Sequence, residues 1–158
     1  MVSALVVIQY TQYWVLSPEE ITIRHRAGLQ WVDQRRLGLR LRPLGEAGER
    51  MLVWGWQSPV HFYSKMDSVT PYFFTDPLMQ VYRSRYHQFV EPRKERILAD
   101  ILRQMPAIVF AGDPPFPELQ SFLTKRYVHA GDFRDGRGLY VRPDRVDWFQ
   151  ATWQESTQ

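Results

Sequence analysis

The chain has 158 residues, 44% hydrophobic and 23% charged, with a net charge of +3 and no cysteine. At that length one domain buries about 70% of its unfolded surface, so it needs no covalent staple. Disulfides and thiolate metal sites are excluded, and so small a charge gives no argument for nucleic acid as a partner.

Residues 2–8 are apolar but lack the basic flank and small-residue cleavage site of a signal peptide. They read either as an outer strand or as the end of a preceding membrane segment that would extend to residue 16. No stretch reaches the ~18 apolar residues of a membrane span. Ser17-Pro18-Glu19-Glu20 is a capping box with proline at the first helical position, so a helix starts here. Ile21, Leu29, Val32, Leu37 and Leu41 continue it, with a break expected at Gly28 or Gly38. Arg24, Arg26, Arg35, Arg36, Arg40 and Arg42 cluster on this segment. They read as a solvated helix face or as a patch for anionic groups. A loop is expected over residues 43–49.

Residues 51–54 form a short apolar run bounded by turn residues, the pattern of a buried strand. Gly55 permits a backbone conformation that a residue with a Cβ resists. Ser58-Pro59 reads as a cap and first helical residue for a short helix carrying Val60, Phe62 and Tyr63. Residues 67–71 read as a polar turn and residues 72–74 as a short aromatic strand. Leu78, Val81, Tyr82, Tyr86 and Phe89 turn helical, and Pro92 restarts a helix through Ile97, Leu98, Ile101 and Leu102. Pro106 ends it. Residues 107–111 are a buried strand, Gly112-Asp113-Pro114-Pro115 its exit loop, and a helix opens at Pro117. Asp135-Gly136 signals a two-residue hairpin, with residues 138–142 as its return strand. The tail, residues 144–158, keeps Trp148, Phe149 and Trp153, so part of it docks on the domain.

The alternation predicts one α/β domain over residues 1–158. Its central sheet is mainly parallel, flanked by helices, with the C-terminal β-hairpin at the sheet edge. Residues 51–54 and 107–111 are expected as neighbouring strands, buried on both faces.

The chemistry in the sequence is sparse. The turn after residue 54 carries one glycine and a bulky Trp56, so it fails the dinucleotide fingerprint, and there is no P-loop. His25, His61, His87 and His129 have no metal-ligand spacing, and there is no nucleophile elbow. No catalytic residue, metal ligand or cofactor is assigned. Asp76 and Asp113, each just before a proline, either initiate turns or place carboxylates at strand ends. If the sheet is parallel, Trp56, His61, Tyr63 and Asp113 share one edge. These four are the candidate ligand rim, suited to a sugar; the alternative is that the aromatics pack and Asp113 caps a helix.

Four segments together resemble one family. Val53-Trp54-Gly55-Trp56 with Val60-His61-Phe62-Tyr63, then Pro71-Tyr72-Phe73-Phe74, resembles a "V-W-G-W-x-P-x-I-Y-F" segment. The stretch from Ile97 to Phe110, a helix ending in Pro106 and then Ala107-Ile108-Val109-Phe110, resembles "L-x-x-x-P-P-x-Y-I-V". Pro117-Glu118-Leu119-Gln120-Ser121-Phe122-Leu123 through Tyr127 resembles "F-P-E-L-x-x-F-L-x-x-x-Y", and Leu139-Tyr140-Val141-Arg142 resembles "V-x-V-Y-R-R". The family is that of bacterial dolichyl-phosphate-mannose–protein mannosyltransferase-like membrane proteins, and the likeness runs from about Trp31 to Arg142. It implies a soluble C-terminal domain behind membrane helices, on the extracytoplasmic face of a bacterial membrane. The partners it implies are those helices and a lipid-linked sugar or its acceptor. The family's catalytic acid lies in the membrane part, so no position here inherits it. One departure is that this sequence holds the domain without any membrane span. The expected function is therefore an accessory, non-catalytic domain of a glycosyltransferase-like protein. The rival expectation is a free-standing α/β ligand-binding module or small enzyme with a site at the strand C-terminal edge.

Overall fold

The computed structural model describes residues 17, 19–20, 23, 29–72, 75, 83–112, 114–133 and 137–155. Among these, helix α1 (Leu29–Glu46) precedes β1 (Arg50–Trp54), α2 (Pro59–Ser64) and β2 (Asp67–Ser68). Helix α3 (Arg83–Gln104), β3 (Ile108–Ala111) and α4 (Pro117–Arg126) follow. The hairpin β4 (Val128–Phe133) and β5 (Arg137–Val141), a 3-10 turn (Pro143–Arg145) and α5 (Val146–Glu155) close the chain.

The fold is α/β, an open sheet of five strands in the order β2-β1-β3-β5-β4. β1 pairs in parallel with β2 and β3, as expected, with Leu52 opposite Val109 and Trp54 opposite Ala111. β5 runs antiparallel to both β3 and β4, so the sheet is mixed rather than mainly parallel. The reason is connectivity. The last two strands enter as a hairpin, and its return strand, not its first, joins the sheet beside β3.

Residue alternation in the strands builds two cores. Met51, Val53, Ile108, Phe110, Leu139 and Val141 face α1, α2 and α5 through Leu37, Leu41, Val60 and Phe149. Leu52, Trp54 and Val109 face α3 and α4 through Ile97, Ile101, Leu119 and Leu123. Every residue of β3 is buried, as are all but the first of β1. Each such side chain withdrawn from water contributes roughly 1.5–3 kcal/mol.

Several local expectations hold. The Ser17 amide donates to Glu20 Oε2 at 2.7 Å and the Glu20 amide to Ser17 Oγ at 3.3 Å, which is the capping box. α3 stops before Met105, the residue preceding Pro106, whose φ is 43°. Phe149 of the tail is buried in the core.

Others are corrected. α1 does not break at Gly38 and runs through Pro43 and Gly45, where a loop was expected. Both glycines lie against α2: a Cβ on Gly38 would stand 2.6 Å from Tyr63 Cβ, and one on Gly45 2.1 Å from the Ser64 carbonyl oxygen. Tertiary approach, not flexibility, selects them, and packing overrides propensity. Pro92 lies inside α3 rather than restarting it. The second strand is Asp67–Ser68, from the segment read as a turn; Tyr72 is in no strand, and Phe73 and Phe74 lie outside the described residues. The hairpin strands pair out to Phe133 opposite Arg137; Asp135 and Gly136, read as its two-residue turn, lie outside the described residues.

Candidate functional site

β1 and β3 are adjacent and parallel, yet their chains leave toward opposite faces. The turn after β1 enters α2, whose Val60 packs in one core; the loop after β3 enters α4, whose Leu119 and Leu123 pack in the other. Such a divide, at the C-terminal ends of parallel strands, is where open α/β sheets place ligands.

The sequence builds this divide locally. Gly55 turns the chain with φ 128°, a region unfavourable for a side chain. Its amide donates to Thr75 Oγ1 at 2.6 Å. Pro59 starts α2, but Ser58 is itself helical (φ −52°, ψ −31°) and its side chain makes no cap bond, contrary to the expected cap. The turn is held by the Val60 amide donating to the Gln57 carbonyl at 3.1 Å and the Ser58 amide to the Trp56 carbonyl at 2.9 Å. Across the divide the Gly112 amide donates to the Trp54 carbonyl at 2.6 Å. With the amides of Gly55, Ser58 and Gly112 thus engaged, the turn is a poor phosphate cradle.

The four rim residues meet different fates. Trp54, before them, is core, 1% exposed, edge-on to Phe116 at 5.2 Å. Trp56 stands outward, 58% exposed. His61 is turned inward and buried, with Nδ1 3.0 Å from the Met66 carbonyl oxygen. That acceptor requires the proton on Nδ1, and burial pushes the imidazole pKa below its ordinary value. Tyr63 is half-buried beside α1, its ring 5.1 Å from Phe62 and 6.0 Å from the Arg35 guanidinium. The edge that parallel pairing gives β1 and β3 is present, but only Trp56 of the three described residues faces outward on it. Asp113 lies outside the described residues, as does Asp76.

The sequence reading passed over Gln57. Its side chain is buried, 3% exposed, and Oε1 has no hydrogen-bond partner among the described residues. The carboxamide lies directly on Gly112, where a Cβ would stand 1.8 Å from Oε1. Leaving a buried amide oxygen unpaired costs about 1–3 kcal/mol. Its one sequence signal is position, a polar residue between a Gly-Trp turn and Ser-Pro just past a buried strand. Among the described residues no cluster of three His, Asp or Glu side chains exists to hold a metal.

Comparison with known proteins returned no family model, curated protein or solved structure that matches this chain.

Proposed function

We propose that the chain is the accessory, extracytoplasmic C-terminal domain of a membrane-bound glycosyltransferase-like protein that uses a polyprenyl-phosphate sugar donor, and that it is non-catalytic by itself. One observation carries the reading. Three of the segments that resemble the mannosyltransferase-like proteins are the end of β1, strand β3 and the end of β5, and these lie side by side at the centre of the sheet. A fourth is α4, whose Leu119 and Leu123 cover them. These stretches form one packed unit of three central strands and a covering helix, which supports a shared folding unit over scattered coincidences; Val60–Tyr63 of the likeness lies in α2, and Pro71 and Tyr72 lie in no strand. In this reading the partners are membrane helices of the same polypeptide, and the lipid-linked sugar or its acceptor passes near the domain.

Two measurements test it. The whole gene product should sediment with membranes, and protease added to spheroplasts should release this domain from outside. Recovery in the cytosolic fraction overturns the reading. The isolated chain, given polyprenyl-phosphate sugars and acceptor peptides or lipids, should show no turnover above blank; turnover that tracks the purified chain overturns its non-catalytic role.

A second reading, a free-standing α/β ligand-binding module or small enzyme, is favoured by the divide between β1 and β3 with its unpartnered Gln57 oxygen. A product confined to the soluble fraction would favour it.

A further inference from the structure

A groove opens at the hairpin edge of the sheet, between α4 and strands β4 and β5. It is a shallow, open groove of about 430 Å³, lined by Gln120, Thr124, Tyr127, His129 and Tyr140. That volume suits a small molecule. None of the five is an acid, a lysine or an arginine.

His129 and Tyr140 are directly opposed across the β4–β5 pairing, their ring centroids 5.1 Å apart and the planes tilted by 52°. The Tyr140 ring lies across Gly138, where a Cβ would come within 2.7 Å of it. The absent side chain makes the room that sets the ring's direction. Gln120 Nε2 donates to the Tyr140 hydroxyl oxygen at 3.3 Å and to Thr124 Oγ1 at 3.4 Å. The Thr124 hydroxyl donates to the Gln120 carbonyl at 2.9 Å, and the Tyr127 hydroxyl to the Pro106 carbonyl at 2.8 Å. Among the described residues, the Tyr140 hydroxyl proton, which donates, and Gln120 Oε1, which accepts, meet no partner.

We propose that this groove binds a neutral polyhydroxylated ring, a sugar residue. Its carbon–hydrogen face lies on the His129–Tyr140 pair, and two neighbouring hydroxyls meet Tyr140 and Gln120. A hydroxyl both donates and accepts, so vicinal hydroxyls satisfy a donor and an acceptor held one hydrogen bond apart. An anion finds no lysine or arginine among the lining residues. A flat heteroaromatic base is best held in a parallel slot, and rings tilted by 52° do not make one. The inference goes beyond the membrane reading and does not depend on it.

The test uses the chain itself. Methyl glycosides of glucose, mannose and galactose are titrated while amide NMR shifts are recorded, with adenosine and inorganic phosphate as controls. At least one glycoside should saturably shift the amides of Gln120, His129 and Tyr140. Tyr140→Phe keeps the ring on Gly138 and removes the donor; it should weaken binding about tenfold, the effect of one hydrogen bond, at unchanged melting temperature. His129→Ala, at an exposed position, should abolish binding without unfolding. Saturable shifts from adenosine or phosphate but from no glycoside overturn the ligand class. No shift from any glycoside up to its solubility overturns the site. Glycoside binding unchanged in both variants places the sugar elsewhere and overturns it as well.

Discussion

The parallel strands β1 and β3 have two ends, and the chain treats them in opposite ways. At the N-terminal end charges converge and are paired. Glu49, just before β1, accepts from Arg142 Nη2 at 3.1 Å and from Arg145 Nε at 2.7 Å. Arg142 also donates to Asp144 Oδ1 at 2.6 Å and to the Met105 carbonyl at 2.5 Å. Arg50 reaches Gln104, which in turn donates to the Val69 carbonyl at 2.6 Å. At the C-terminal end there is a glycine turn, an outward indole and a buried carboxamide oxygen with no donor. One end ties together the start of β1, the end of α3 and the end of the hairpin. The other leaves a buried polar atom unfilled, an exception to the rule that buried polar groups are hydrogen-bonded. Paired charge and unfilled polar capacity thus sit at opposite ends of the same two strands.

Breaking the paired end should have the largest effect. Arg142→Met leaves Glu49, whose side chain is 16% exposed, with one partner fewer, and removes the donor to the Met105 carbonyl. We expect a loss of about 3 kcal/mol in urea unfolding, the scale for breaking a largely buried pair by removing one member. A loss under 0.5 kcal/mol would show that this end does not hold the sheet. Next comes Gly112→Ala. Its Cβ would collide with the Gln57 carboxamide, so about 2 kcal/mol should be lost through overpacking. Adding Gln57→Ala should recover most of it, and simple additivity in that cycle would show that the two residues do not meet.

The two ends should also answer acid separately. His61, in α2 beside the C-terminal end, has its pKa lowered by burial, opposed by its bond to Met66. A depressed folded value means that the unfolded chain takes up the proton first. The stability from neutral His61 is therefore full above about pH 6.5, its ordinary value, and is lost as pH falls through the folded value. Asp144 is held below its ordinary 3.8 chiefly by the Arg142 hydrogen bond. Its contribution is present above that value and is lost only at lower pH. Hydrogen-exchange protection, corrected for the intrinsic pH dependence of exchange, should thus fall in α2 as pH drops below about 6.5, and near Arg142 only below about 3.8. Loosening of both regions together would remove the distinction.

The sequence made the centre of the sheet legible and left its ends obscure. Residues 51–54 and 107–111 are continuous apolar runs, and burial on both faces admits no other composition, so their pairing followed from pattern alone. Gly38 and Gly45 misled because local propensity does not reveal that another helix lies against them. Asp67–Ser68 was missed because two polar residues carry no alternation. The rim named Trp56, His61 and Tyr63 from a shared edge, but proximity in sequence says nothing about direction. His61 turns inward because α2 shows Val60, His61 and Ser64 to the core. Glu49 drew no attention because its partners are 93 and 96 residues away.

The smallest expected effect makes the sharpest distinction. Gln57→Met keeps the unbranched shape of the side chain on Gly112 and removes the unpaired oxygen. If that oxygen is unsatisfied whenever the domain is folded, removing it costs no hydrogen bond and relieves a desolvation penalty. Stability should then rise by up to about 1 kcal/mol, because an unpaired buried acceptor is worse than an apolar group of the same shape. If the oxygen instead belongs to a paired network like that around Glu49, the same substitution should cost about 1 kcal/mol. Urea unfolding of the variant, with the denaturant slope unchanged so that midpoints are comparable, reads the sign directly. A lower midpoint would mean that both ends of the strands are built for stability, and the contrast between them would be lost. A higher midpoint would mark Gln57 as a polar group retained at a cost to the free domain, at the position where this sheet topology places its ligands.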